Sequence, residues 1–126
     1  MLHKRLSDYL IKIQVDINNL SDVYIERYEE EIVASDRITL RIRLRFQNGS
    51  MLALNEAVIE KNDNLTHLGY RYHFQDRQNK LIFRYDNTPH FPHLNSFPNH
   101  KHIPDNVIEC DKPSILHVIT EAKLTP

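Results

Sequence analysis

The chain has 126 residues and a formal net charge of -1. This length fits one domain, spanning residues 1–126, that can bury a core without disulfide or metal support. The near-neutral charge excludes a nucleic-acid-binding protein that is basic over its whole surface, although it allows a local basic patch. The single cysteine, Cys110, excludes a disulfide framework and a paired-cysteine zinc site, so we expect a reducing, cytoplasmic location. No apolar run has the length of a membrane span, so we expect no membrane contact.

The first twenty residues have the spacing of an amphipathic helix. Apolar residues recur every three or four positions from Leu2 to Leu20, which predicts a helix whose apolar side packs on a sheet. The next segment, residues 23–33, is rich in β-branched and aromatic side chains. We interpret it as a strand.

Residues 38–46, ITLRIRLRF, have the clearest strand pattern in the chain. Apolar and polar residues alternate strictly, as in a strand that buries one face. The following Asn48-Gly49 predicts a two-residue hairpin turn, because both residues tolerate a positive φ. Such a turn places Arg41 across from Glu56 on a polar face, where their opposite charges attract.

A second hairpin is predicted from residues 68–75 and 80–87. A four-residue loop aligns Gln75 with Lys80 and sends the aromatic residues of both strands to one face. The opposite face then carries Arg71, His73, Arg84 and Asp86. A register slip of two residues preserves this grouping, whereas a slip of one would place the aromatic residues in water.

Residues 88–105 have no periodicity and contain four prolines, which predicts a long irregular loop. The loop contains four of the eight histidines of the chain, His90, His93, His100 and His102. Its apolar residues argue against disorder, because a solvated linker needs no apolar anchors. After the loop, Asp111 is expected to cap a short helix that buries Leu116.

These elements predict an α+β fold. An N-terminal helix packs on an antiparallel sheet of about five strands, and a long loop rich in proline and histidine leads to a short C-terminal helix. The loop starts directly after Asp86, so its histidines can fold back over the polar side of the second hairpin.

This polar side has the residue types that cleave RNA without a metal. Cleavage needs a base for the 2′-hydroxyl proton, a cation for the crowded phosphate and an acid for the leaving oxygen. Histidine suits both proton transfers because its ordinary pKa of about 6.5 lies near neutrality, and arginine offers phosphate a fixed fork of charged donors. We therefore predict as catalytic residues His73, Arg71, Arg84, Asp86, His90, His100 and His102.

Four further residues are candidates for substrate binding. Lys101 lies between two loop histidines and would fold back with them. Tyr72 could stack on a base if it is partly exposed. Arg43 and Arg45 are most simply part of a solvated strand face, and phosphate binding is the less favoured interpretation.

Two other interpretations stay open. A metal-dependent nuclease or metal-binding module would use the two chelating pairs of the loop, His90, His93, His100 and His102. Lys101 within the second pair and the lack of a helical zinc motif weigh against zinc or another divalent metal, so we expect no cofactor. A non-catalytic module would bind a protein or nucleic acid through the arginine strand and the loop.

Three segments, YRYHFQD, LIFRYDNTPH and FPNHKH, resemble the TumE family of bacterial and archaeal toxins. The resemblance runs from about residue 41 to the C-terminal helix. The polar positions characteristic of the family fall on Arg71, His73, Arg84, Asp86, Asn87, His90, His100 and His102, which adds Asn87 to the substrate-binding candidates. The chain has Phe91 and Asn99 where many relatives have histidine.

The resemblance implies a growth-inhibiting toxin that is neutralised by a cognate antitoxin, a protein with a DNA-binding domain. RNA as the target is an inference from the residues and from toxin classes in general.

Overall fold

The chain forms two helices and one seven-stranded antiparallel sheet in the computed structural model, which describes all 126 residues. The helices are α1 (Lys4–Asn18) and α2 (Ile115–Leu124). The strands are β1 (Val23–Ala34), β2 (Arg37–Phe46), β3 (Met51–Lys61), β4 (Asn64–Gln75), β5 (Leu81–Asp86), β6 (His100–Ile103) and β7 (Asn106–Glu109). Each strand pairs with the next one in sequence. The α+β prediction with a helix at each end is confirmed, and neither helix has the length and apolar character of a membrane span.

Both helices pack on the same face of the sheet, where the core lies. The buried residues of α1 recur at helical spacing and are Leu6, Leu10, Ile13 and Ile17. They pack against every second residue of β2, β3 and β4. The apolar side of the helix and the apolar face of the strands, both predicted from the spacing of apolar residues, therefore form one core. The predicted strand at residues 23–33 is confirmed as β1, an edge strand of the sheet.

The sheet has seven strands because part of the predicted loop is a hairpin. β6 and β7 have four residues each and lie on either side of the turn at Pro104 and Asp105. Strands of this length show too little alternation to be recognised in a sequence. The irregular loop is therefore shorter, from Asn87 to Asn99, and Tyr70 ties its end to the sheet by donating a hydrogen bond of 2.7 Å to Oδ1 of Asn99.

The predicted register between β2 and β3 is wrong by one residue. Arg41 faces Asn55, and Glu56 faces Leu40 on the core side of the sheet. The turn contains an extra residue, since Gly49 has a φ of 87° and the backbone N–H of Phe46 binds the carbonyl of Ser50. This register buries the leucines of β3 instead of its alanines, which gains apolar burial.

The predicted division of the second hairpin into an aromatic face and a polar face is confirmed. The register differs from the predicted one by two residues, with Tyr72 beside Tyr85 and His73 beside Arg84. Because the slip is an even number of residues, the aromatic side chains stay in the core and the polar ones stay together on the other face.

The C-terminal helix is present, but its cap and one inward residue differ from the prediction. Ser114, not Asp111, caps α2 by accepting a hydrogen bond from the backbone N–H of His117. Val118 is buried, whereas Leu116 is 40% exposed. The cap sits three residues further along than expected, so a different set of side chains faces the sheet.

Candidate active site

The face of the sheet opposite the helices, which we call the polar face, carries two cross-strand rows of functional side chains. One row contains Arg41, Asn55, Arg71, Asp86 and His100, and the other contains Arg43, Ala53, His73, Arg84 and His102. Neighbouring residues in a row lie on adjacent strands, about 4.8 Å apart. The pairing of β6 with β5, rather than a folded-back coil, brings the two histidines to the predicted residues of β4 and β5.

Asp86, His100 and His102 form a compact group, which we call the Asp86 cluster. Nε2 of His100 lies 2.7 Å from Oδ1 of Asp86 and 3.1 Å from Nε2 of His102. Nε2 of His102 lies 3.4 Å from Oδ2 of the same carboxylate. The side chain of His100 is 1% exposed, and that of His102 is 19% exposed. Three donor atoms thus converge at the edge of the polar face.

Neighbouring groups fix the members of this cluster. Oδ1 of Asp86 accepts a hydrogen bond of 3.1 Å from the backbone N–H of Thr88, and Oδ2 accepts one of 3.3 Å from Nε of Arg84. Nδ1 of His100 lies 3.0 Å from the carbonyl oxygen of Pro98. A carbonyl can only accept, so Nδ1 of His100 carries a proton and its Nε2 is the atom that faces the cluster.

His73 lies next to the cluster with only one of its ring nitrogens bonded. Its Nε2 is 2.9 Å from Oε1 of Gln75, whose amide is oriented by a 2.8 Å hydrogen bond to Asn79. Nε2 of His73 is therefore the donor, and Nδ1 is a buried acceptor without a partner. Burial lowers the pKa of His73, and the charges of Arg71 and Arg84 lower it further.

The surroundings of His102 also lower its pKa. Burial is the largest cause, the charge of the Arg84 guanidinium acts in the same direction, and Asp86 opposes both. A lowered pKa favours the uncharged imidazole, which offers a lone pair to a proton or to a metal ion.

A shallow groove of about 340 Å³ lies beside the cluster on the polar face. Its floor is β3, which has the small side chains Asn55 and Ala57 there, between the longer side chains of β2 and β4. Arg41 and Arg71 line its two sides. Neither makes an ion pair, whereas Arg45 is held by Glu26 at 3.1 Å. The groove therefore offers free guanidinium groups to an anionic ligand.

Two of the predicted substrate-binding residues lie on the helix side of the sheet, away from this groove. Tyr72 is fully buried and donates its hydroxyl hydrogen to Glu56. Lys101 lies 2.7 Å from Glu121 of α2 and over the ring of Tyr85. Both are placed there by strand alternation, and we leave them out of the site.

The remaining predicted residues lie around the rim of the polar face. Asn87 accepts a hydrogen bond of 3.1 Å from the backbone N–H of Tyr70 and lines the groove. His90 and His93 are exposed and do not reach the cluster, although both rings pack near Phe91. The structure thus splits the four loop histidines into a pair inside the site and a pair outside it.

The sequence interpretation missed Phe91 and Gln75. The Phe91 ring lies against the cluster, with its centroid 4.8 Å from that of His100 and 5.9 Å from that of His102. Gln75 sets the tautomer of His73. Two signals for Phe91 were available, since it is an apolar residue among the loop histidines and stands where many relatives have histidine, whereas Gln75 was apparent only as part of the segment YRYHFQD.

Comparisons with known proteins place the chain in a family. A sequence model of the family described as "Toxin TumE" matches residues 13–124. Searches among curated proteins and solved structures gave no match. The matched residues include the whole Asp86 cluster, the groove and all seven strands. The chain therefore belongs to the TumE family, the toxins of toxin–antitoxin pairs.

Proposed function

We propose that this toxin cleaves RNA and that the polar face is its active site. The observation that carries the proposal is that the two rows of the polar face bring arginines next to histidines. Arg84 lies between His73 and His102 on adjacent strands, and the groove with Arg41 and Arg71 lies next to them. Guanidinium groups bind phosphates along a strand of RNA, and imidazoles can move protons at the phosphate that is cleaved.

The path of the RNA follows from this arrangement. From β2 to β5 the polar face spans three strand spacings, about 14 Å. Arg41 and Arg43 stand at one end of this path, Arg71 in the middle and Arg84 at the end beside the cluster. The groove between Arg41 and Arg71 is one shallow part of this path, so the path fits a single strand of RNA rather than a duplex.

The metal-free mechanism places the phosphate on Arg84. His73 and His102 then lie on opposite sides of it, as a base and an acid for in-line displacement require. One feature of His73 weighs against this mechanism. Its Nε2 is bonded to Gln75 and its Nδ1 is buried, so the ring must turn before it can exchange a proton with RNA.

The second candidate, metal-assisted cleavage, is favoured by the convergence of donor atoms in the Asp86 cluster. The predicted metal ligands were the loop histidines, and the cluster differs from them by having Asp86 in place of His90 and His93. In both mechanisms Arg84 holds the phosphate, and a chelator distinguishes between them because only the second requires a metal.

We also propose that the cognate antitoxin carries a DNA-binding domain and that the toxin acts on RNA in the cytoplasm. Membership of the toxin family supports an antitoxin partner. The single cysteine supports the location, because a chain with one cysteine has no internal disulfide, and proteins of the reducing cytoplasm rarely contain disulfides.

Labelled single-stranded RNA and the purified full chain test the proposed activity. We expect cleavage by the wild type and a loss of at least tenfold in Arg84→Ala. Arg5→Ala is the matched control, since Arg5 lies on α1 on the other side of the sheet and is exposed. RNA that stays intact with and without added divalent metal, while its band is retarded, would show a binding module instead of a nuclease.

A further inference from the structure

We propose that Asp86, His100 and His102 bind one divalent transition-metal ion, with zinc as the preferred metal. Two imidazoles and one carboxylate form a donor set that suits zinc and the neighbouring first-row metals better than magnesium or calcium. All three donor atoms lie within 4.8 Å of one another. The proposal does not depend on RNA being the substrate.

The distances within the cluster are close to those between ligands of a single ion. Donors bound at about 2.0–2.2 Å are separated by about 3.3–3.6 Å in a tetrahedron and by about 2.8–3.1 Å in an octahedron. The two nitrogens are 3.1 Å apart, and the two nitrogen–oxygen distances are 2.7 and 3.4 Å. An ion can therefore contact all three atoms after small side-chain movements.

The orientation of His100 directs a second nitrogen to the same point. Its Nδ1 lies 3.0 Å from the carbonyl oxygen of Pro98, so Nε2 is the nitrogen that faces the cluster. This Nε2 lies 2.7 Å from Oδ1 of Asp86 and 3.1 Å from Nε2 of His102. A metal ion among these atoms can contact the carboxylate and both nitrogens at once.

The contacts around the cluster resemble those that support metal ligands. A histidine ligand commonly donates its other ring N–H to a backbone carbonyl, as His100 does to Pro98. A carboxylate ligand is commonly held by further hydrogen bonds, as Asp86 is by Thr88 and Arg84. His100 and His102 are both on β6, at positions that share a face, so the strand itself sets their spacing.

Three protein ligands leave a coordination position for water or a phosphate oxygen. Zinc sites with three protein ligands are typically catalytic, whereas structural sites have four. Arg84 borders this position, because its Nε lies 3.3 Å from Oδ2 of Asp86. The metal and the guanidinium would therefore face the same phosphate.

A titration with Co²⁺ tests the site directly. The full chain is made by cell-free synthesis without a histidine tag, is stripped with a chelator and is then titrated with Co²⁺. We expect a visible absorption band that saturates at one Co²⁺ per chain and is displaced by Zn²⁺. His102→Ala should weaken binding by at least tenfold. His93→Ala should leave it unchanged, because His93 is an exposed histidine of the same loop outside the cluster.

A second variant tests the site by gain of affinity. Phe91 already packs against both histidines, so Phe91→His brings a third imidazole to the cluster. We expect it to bind Co²⁺ at least tenfold more tightly than the wild type. Far-UV circular dichroism of the metal-free proteins verifies that each variant is folded.

Two results would overturn the metal site. They are a wild type without a saturable band, and an affinity that is equal in folded His102→Ala and the wild type. RNA cleavage that continues in protein shown to be metal-free would refute only the metal-assisted mechanism. Metal binding is measured without RNA, so a metal-loaded protein that does not cut RNA would refute the proposed nuclease activity and leave the metal site standing.

Discussion

The buried carboxylate of Glu56 is expected to be a major source of stability, and Glu56→Ala tests this. Its side chain is fully buried on the helix side of β3. It accepts hydrogen bonds from the hydroxyls of Tyr9 and Tyr72, and Nε2 of His67 lies 3.3 Å away. These contacts join α1, β3 and β4 beneath the active site.

The loss of unfolding free energy in Glu56→Ala can be worked out from the number of hydrogen bonds that the carboxylate accepts. Hydrogen bonds to a charged acceptor contribute about 1.5–3 kcal/mol each. Two hydroxyl donors therefore give about 3–6 kcal/mol, which is reduced because the substitution also removes the cost of burying the carboxylate. We expect Glu56→Ala to lower the free energy of unfolding by about 3–5 kcal/mol. Glu56→Gln retains the size and one acceptor oxygen, so it should cost about 1–3 kcal/mol.

The effect of pH has a defined sign. Burial raises the pKa of Glu56, but the contacts with His67, Tyr72 and Tyr9 outweigh it and hold the pKa below its ordinary value. A carboxyl group with a lowered folded-state pKa stabilises the protein above its unfolded-state pKa, which is about 4.3 for glutamate. This stability is lost as the pH falls through the folded-state value, and Glu56→Gln should remove that part of the acid sensitivity.

Urea unfolding followed by circular dichroism, between pH 3 and pH 7, measures these effects. Glu31→Ala is the matched control because Glu31 is an exposed carboxylate of the edge strand β1. The reasoning is refuted if Glu56→Ala unfolds within about 0.5 kcal/mol of this control, a difference typical of surface substitutions. It is also refuted if Glu56→Gln retains the full acid sensitivity of the wild type.

The other predictions concern the polar face. Arg71→Ala should weaken RNA binding and lower the slope of log affinity against log salt by about one, measured by fluorescence anisotropy, and an unchanged slope would place the phosphate elsewhere. Ala57→Leu fills the floor of the groove and should weaken RNA binding without lowering the melting temperature; tight binding would exclude the groove as the RNA path. The pKa of His73, measured by NMR, should lie below its ordinary value and rise in Arg84→Ala, since a positive charge is removed; an equal or lower pKa in the variant contradicts this assignment.

The sequence predicted the faces of the sheet better than its registers. Alternation with period two assigned Arg71, His73, Arg84 and Asp86 to one face, and an error of two residues in pairing did not affect that assignment. The β2–β3 register depended on a single residue in the turn, and it moved Glu56 from the predicted polar face to the core. A turn of unknown length therefore limits such predictions more than the strands do.

Strand pairing also limits how much of the candidate site can be predicted from the sequence. Its residue types were apparent from the sequence, but which histidines meet depends on strand pairing. His100 and His102 join Asp86 because they lie on β6, whereas His90 and His93 precede this strand and stay at the rim. No local pattern marks β6, since a four-residue strand is defined by its partners.

The register of β6 is held by contacts on the helix side of the sheet. Residues that lie away from the polar face therefore help to position the histidines of the site. A slip of one residue would turn His100 and His102 toward the helices and bring Lys101 to the polar face. Lys101 opposes such a slip because it binds Glu121 of α2 at 2.7 Å and lies over the ring of Tyr85. The hydroxyl of Tyr85 donates to the same Glu121 at 2.6 Å. The lysine that first counted as a substrate ligand is thus better explained as the residue that keeps the two histidines facing Asp86.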